Sequence, residues 1–280
     1  MSKTKPYEGM SIDDICYRIR SRAREIDYAI KMQSKVDRGL QSFIAVNVYG
    51  YNPAKGDTEG KKIFAQSAKR IKDAMTDEAD ILHLIVTASV SSREPFDRIR
   101  SIAELDMKHL VRALPVWNGF AESVRGFAEI GLGRMIGETG NLDNYATVSR
   151  VWKRLGLAVM GDHRQGNPGK GASAEDWILE GYSPRRRSIV YVIGDSLFKA
   201  QGIGKNKSDT GAWKPNGPYG DVYARRRART AETHPDWTPA HAMNDATRVM
   251  TKHLIADLWS AWRALETMET STSLPAPLSA

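Results

Sequence analysis

A chain of 280 residues, 41% of them hydrophobic, is long enough for one large domain or two ordinary ones with ample core. Its 41 Lys and Arg against 33 Asp and Glu leave a net charge of +8, a balance that suits a polyanionic partner without proving one. No apolar run approaches the roughly 18 residues of a membrane span, and a single cysteine excludes an internal disulfide framework and a cysteine zinc site.

The opening stretch "MSKTKPYEGM" lacks the apolar core of a signal peptide, so a cytoplasmic location with no membrane association is expected. Ser11 then stands as a helix cap, with Asp13 and Asp14 in the first turn. Ile12, Ile15, Cys16, Ile19, Ala23, Ile26 and Ile30 recur at three- and four-residue steps, the stripe of a long amphipathic or coiled-coil helix. Cys16 lies on that apolar face and reads as a packing residue. The arginines of "RIRSRAR" (18–24) are two apart, so they spread around the polar sector.

"FIAVNVYGY" (43–51) suits a buried helix or a strand, and its neighbours favour helix. "YNPAKGDTEG" (51–60) reads as a loop from its Asn-Pro and Gly content. Helical patterns resume over 61–75, 77–91 and 95–114, with Pro95 suited to a first turn and Pro115 ending the series. Residues 1–114 thus form a helical arm without a visible catalytic cluster, whose plainest role is self-association into a homo-oligomer.

From 116 the texture changes. "VRGFAEIGLGRMIGETGNLDNY" (124–145) places Gly126, Gly131, Gly133, Gly137 and Gly140 in a segment that otherwise reads as helix. A helical glycine costs about 1 kcal/mol against alanine, so the run needs a reason. One reason is a helix-hairpin-helix, in which a tight glycine turn bares backbone N–H groups to a phosphate. The other is close approach of neighbouring helices. A helix running to about Thr139, a turn at Gly140-Asn141 and a further helix carrying Lys153 and Arg154 follow.

"GDHRQGNPGKGAS" (161–173) is a polar loop, and its Arg164 and Lys170 suit either an interface or a mere connection. A helix begins near Ser183-Pro184, and "GIGKNKSDTGAWKPNGPYG" (202–220) is a second loop that lacks the ending of a phosphate-binding P-loop. Thr238-Pro239 opens a long last helix, 115–268 form the second domain, and the tail from 269 to 280 is expected to be disordered.

Besides 18–24, arginines cluster in "PRRRS" (184–188) and "YARRRAR" (223–229). Arginine forks phosphate oxygens and stacks on bases better than lysine. Beside the glycine segment they point to DNA or structured RNA, bound through phosphates. The candidate contacts are Arg125, Gly126, Lys153, Arg154, Arg164, Lys170, Arg185, Arg186, Arg187, Arg225, Arg226, Arg227 and Arg229. His234, His241 and His253 are spaced seven and twelve apart, off any single helical face, so they read as surface or structural histidines. Trp237, Trp259 and Trp262 read as packing for the last helix.

Gly126 to Leu142, then Asn144-Tyr145 and "WKRLGLAV", resemble the signature of the DEDD-type insertion-sequence transposases, also called bridge-RNA recombinases. Gly126 falls on that family's first turn glycine, and Glu138 and Gly140 fall at its spacing. "RLGL" (154–157) ends the block, and "PYGDVYARRRAR" with the final helix resembles the closing helices, so the likeness spans about 115 to 265. It implies a mostly α chain with a coiled-coil arm and a DNA-binding helix-hairpin-helix half.

The departures bear on activity. The family's nuclease-like domain, similar to the junction resolvase RuvC, holds magnesium on four acidic residues, and the stretch before the arm is too short for it. The family's catalytic serine follows the Leu-Gly-Leu stretch, where this chain has Arg164 and Gln165, with Ser173 the nearest serine downstream. Arg125 stands for the family's proline and Ala128 for its second glycine. The expectation is a nucleic-acid-binding scaffold with no cofactor, metal or catalytic residue of its own. Two other classes stay open: a subunit of an active recombinase that cuts and rejoins DNA with a partner nuclease, and a structural mobile-element or phage protein.

Overall fold

The computed structural model describes residues 7, 9–52, 57–201 and 215–272, with 57–59 and 266–272 given by backbone alone. The fold is mostly α. In chain order the helices are α1 (Ile12–Asn47), α2 (Asp57–Thr76), α3 (His83–Arg112), α4 (Pro115–Gly119), α5 (Glu129–Thr139) and α6 (Val148–Arg154). A minimal antiparallel hairpin follows, β1 (Val159–Met160) with β2 (His163–Arg164). Then come α7 (Ala174–Glu180), α8 (Pro184–Ala200), α9 (Pro218–Thr233) and α10 (Pro239–Thr272). No described helix is long and apolar enough to cross a membrane.

The chain divides into two compact units, residues 22–106 and residues 1–21 with 107–280. In the first, α1 and α3 pair as antiparallel neighbours. Arg22 bonds Asp106 at 2.6 Å, Gln33 bonds Asp97 at 2.5 Å and Arg93 bonds Asp37 at 2.9 Å, so one partner's number rises as the other's falls. Between these polar rungs Ile26 and Ala29 are buried, and Leu40, Ile44, Ala74 and Val86 form a small core with Ile71, Leu82 and Ile85. The segment 43–51 is helical to Asn47, as its neighbours suggested.

Three local expectations change. α2 starts at Asp57, so helix reaches into the stretch read as loop, of which 53–56 lie outside the described residues. Pro95 does not open a helix but sits inside the 30-residue α3, where it leaves the Ser91 carbonyl without its usual donor. The contacts of Arg93 with Asp37 and of Gln33 with Asp97 hold the helix on both sides of that break. The helix expected from 77 opens instead at His83, just after Asp80, whose Oδ1 accepts from the Leu82 N–H at 2.8 Å.

The second unit begins on the first turns of α1. The Ser11 hydroxyl accepts from the Asp14 N–H at 3.1 Å, which is the expected cap. Ile15, Cys16 and Ile19 are buried, and Asp13 accepts from the Asn141 side chain at 3.0 Å. These contacts place residues 12–21 with 107–280 rather than with the arm. The α1 stripe is therefore already covered within the chain, and a homo-oligomer would need another surface.

The core of this unit collects Leu114, Leu132, Met135, Ile136, Leu142, Leu155, Leu157, Leu197, Leu254 and Leu258. The long α10 contacts α4, α6, α8 and α9. α9 and α10 are antiparallel, since Tyr219 reaches Asp257, Arg226 reaches Asp245 and Arg227 reaches the Pro239 carbonyl. Trp262 is buried and donates to Asn141 at 2.9 Å, while Trp259 donates to the Tyr145 carbonyl at 3.0 Å, the packing role read for both. α10 continues through Thr272, so the first residues of the expected disordered tail are helical, and 273–280 lie outside the described residues.

Candidate nucleic-acid interface

Two glycines of the segment, Gly126 and Gly133, serve packing, and Gly140 closes α5 at φ +76°. Gly126 turns the chain at φ +93° between a 3₁₀ turn (Ala121–Ser123) and α5. A Cβ there would lie 2.6 Å from the Ala200 Cβ, 2.9 Å from the Ser196 carbonyl and 3.0 Å from the Leu197 Cα. The bare backbone thus serves the approach of α8, and no phosphate is needed to explain it. Gly133 does the same for α3, because a Cβ would meet the Met107 side chain at 2.6 Å. The element before the turn is a five-residue helix and a 3₁₀ turn, not a partner matching α5. Arg125 is exposed, and its carbonyl accepts from Gln201 at 3.0 Å.

The arginines come together elsewhere, around two carboxylates. Glu138 on α5 accepts from Arg185 at 2.9 Å and from Arg186 at 3.1 Å. Its backbone carbonyl accepts from Arg154 at 3.0 Å. Burial, then repulsion from Arg186 and Arg20, lowers the Arg154 pKa below the ordinary guanidinium value. The second carboxylate, Asp245 on α10, has a side chain only 1% exposed and accepts from Arg164 and Arg226, each at 2.6 Å. Thr230 on α9 lies 3.4 Å from the same carboxylate.

Arg248, one turn beyond Asp245, donates to the Leu157 and Ala158 carbonyls at 2.7 and 3.1 Å. Burial pulls its pKa down to about 10, with Arg164, Arg187 and Arg226 adding repulsion. It stays protonated at neutral pH. Arg187 is lowered for the same reasons, burial first and Arg164 after it. The first turn of α8 therefore borders both clusters: Arg185 and Arg186 bond Glu138, and Arg187 lines a pocket of about 220 Å³ together with Arg248. Eight guanidiniums thus gather around two carboxylates, a band in which Arg185 and Arg186 pair with Glu138, Arg164 and Arg226 pair with Asp245, and Arg20, Arg154, Arg187 and Arg248 lie near enough to feel the charge of their neighbours.

Of the other expected contacts, Lys153, Lys170, Arg225 and Arg229 are exposed, and Arg227 donates to the Pro239 carbonyl at 3.1 Å. The cluster at 18–24 splits: Arg20 joins the band beside Gly140, whereas Arg22 belongs to the other unit and pairs with Glu25 and Asp106. Arg248 was missed, because a lone arginine in an amphipathic helix gives no clustering signal.

The segment 161–173 is more ordered than a loop. β1 and β2 form a hairpin, and Gln165, buried, donates to the Lys153 and Glu180 carbonyls while accepting from the Ala158 N–H. Glu180 accepts from the Gly166 N–H at 2.7 Å and contacts His163 at 3.3 Å. Those bonds fix Arg164 next to Asp245.

The seven-residue α7 was also missed. Ser173 caps it in a reciprocal box with Asp176, its hydroxyl accepting from the Asp176 N–H at 3.1 Å and donating to the carboxylate at 2.9 Å. The Ser173 hydroxyl thus has a helix-capping role. Trp237, read as packing for α10, instead lies in the α9–α10 connection between His234 and His241. Among the described residues no group of three or more His, Cys, Asp or Glu is placed to hold a metal ion.

Compared with known protein families, curated proteins and solved structures, the chain matches none.

Proposed function

We propose that the chain is a nucleic-acid-binding protein related to mobile-element transposases, binding DNA or structured RNA through its phosphates. The observation that carries this reading is the band of eight guanidiniums around Glu138 and Asp245. Guanidiniums held this close repel one another, and a phosphate docking among them relieves that repulsion while accepting forked hydrogen bonds. The exposed Lys153, Lys170, Arg225 and Arg229 extend the charge to the rim. Part of the band is spent internally, since Asp245 and Glu138 each take two arginines. The anion-binding capacity rests on the remainder.

Contacts to phosphate position a protein on its target but do not read bases. Affinities for several unrelated sequences of equal length should therefore agree within about fivefold, less than a mismatched base pair or two costs a specific reader. Gel-shift titration against three unrelated oligonucleotides checks this. A preference of a hundredfold for one of them would replace phosphate docking with base readout, and no binding to any would remove the reading.

A further inference from the structure

The connection between α9 and α10 carries a stack of three rings. His234 and Trp237 have centroids 4.1 Å apart at 5°, and Trp237 and His241 have centroids 4.0 Å apart at 6°. Parallel rings in van der Waals contact, about 3.5 Å apart, are at such distances offset sideways by no more than about 2 Å. Two imidazoles so centred would overlap on one face of the indole. They lie on opposite faces, and Trp237 is sandwiched.

Both histidines are exposed, so the stack ends in imidazole rings at the surface. Backbone hydrogen bonds order the connection that carries it. The His234 N–H closes α9 on the Thr230 carbonyl at 2.9 Å, the Trp237 N–H donates to the His234 carbonyl at 3.1 Å, and the His241 N–H donates to the Thr238 hydroxyl at 3.2 Å. The stack borders the arginine band directly: the Arg164 guanidinium lies 5.5 Å from the Trp237 ring centre while it bonds Asp245.

We propose that this His234–Trp237–His241 stack is a platform for an unpaired nucleobase, which extends the stack on an outer imidazole while its phosphate meets the adjoining arginine band. This rests on the phosphate-binding reading above and adds to it a preference for single-stranded segments over duplex. The chemistry fits. Every base has a π-face, so an aromatic platform beside a cationic band binds single strands without sequence preference. A paired base inside a duplex has both faces covered by its neighbours and gains nothing from the platform.

The test compares fluorescently labelled single strands, of DNA and of RNA, with a blunt DNA duplex of the same length, for the full chain and for His234→Ala with His241→Ala. Loss of a stacking platform should weaken single-strand binding about fivefold or more, with duplex binding within twofold of the parent. His234→Phe with His241→Phe keeps flat rings and should restore single-strand affinity; thermal melting confirms that each variant folds. The DNA and RNA arms show whether the sugar matters. Equal losses on single strand and duplex, or no loss on either, overturn the platform while duplex binding still upholds the phosphate band. No binding of any strand by the parent chain overturns both.

Discussion

Replacing Asp245 with alanine is expected to lower the melting temperature of the unit formed by 1–21 and 107–280 by roughly 6–12 °C, about 3 kcal/mol for a unit of this size. The Asp245 side chain is almost fully buried and accepts from Arg164 and Arg226, with Arg248 one turn away. Without it, three guanidiniums stay in place and the charge that balances them is gone. The figure sits at the low end for a broken buried pair because Arg164 and Arg226 retain some access to water, 41% and 27%.

The pH dependence follows. Burial alone would raise the Asp245 pKa, but the hydrogen bond from Arg226 and the charges of Arg164, Arg226 and Arg248 outweigh it, so the net shift is downward. A depressed carboxylate pKa gives stability that is present above the unfolded value, about 3.9, and lost as pH falls through the folded one. The gap in melting temperature between parent and variant should hold from neutral pH to about 5 and close below about 4. The same variant frees Arg164 and Arg226 from their carboxylate, so its affinity for nucleic acid at low salt should rise even as its stability falls. A variant with unchanged melting would show that Asp245 does not balance the band.

Gly126→Val is the second large effect, expected to cost the same unit about 3 kcal/mol. A valine at φ +93° adopts a backbone conformation that L side chains rarely take, and its Cβ is driven into the backbone of α8 at Ser196 and Leu197. Backbone atoms do not swing aside as a side-chain tip does. A fall in melting temperature of roughly 6–12 °C, measured by circular dichroism, is the expected result. A variant that melts like the parent yet loses nucleic-acid binding would return Gly126 to a phosphate-contact role.

The contrast between Gly126 and Gly133 on one side and the arginines on the other shows what was legible in the sequence. Helix period, the Ser11 cap and the prolines at 184 and 239 are local signals, and the helices they mark are present, whereas Pro115, read as ending a series, opens the short α4. The need for a bare backbone at 126 was equally readable, but its cause was not. That cause lies on α8, some seventy residues away, and close approach of α8 and of a phosphate demand the same glycine. Pro95 inside α3 fails local logic because partners on α1 hold the helix together across it.

For the site, the runs at 184–188 and 223–229 announced themselves by clustering. Arg20, Arg164 and Arg248 join them only through the fold, and nothing in a one-dimensional pattern tells Arg20 from Arg22, which faces other partners. The pairing of His234 and His241 across Trp237 escaped notice for a related reason. Their spacing was tested against metal ligation on one helix, whereas the rings meet in the turn between two. The likeness to the DEDD-type transposases is a proposal drawn from the same glycine block, and its turn glycine now has a packing explanation.

The measurement that tests the central claim most directly is the salt dependence of nucleic-acid affinity, for the parent chain and for Arg225→Gln with Arg229→Gln. These two arginines are exposed on α9 beside Arg226, so their loss should leave folding within about 0.5 kcal/mol of the parent. If the arginine band neutralises phosphates, log affinity falls linearly with log salt, by tenfold or more between about 50 and 200 mM. The double variant should then bind more weakly on every sequence, with a slope shallower by about one for each phosphate contact removed. A parent affinity that does not change with salt, or no binding at the lowest salt, would contradict the account.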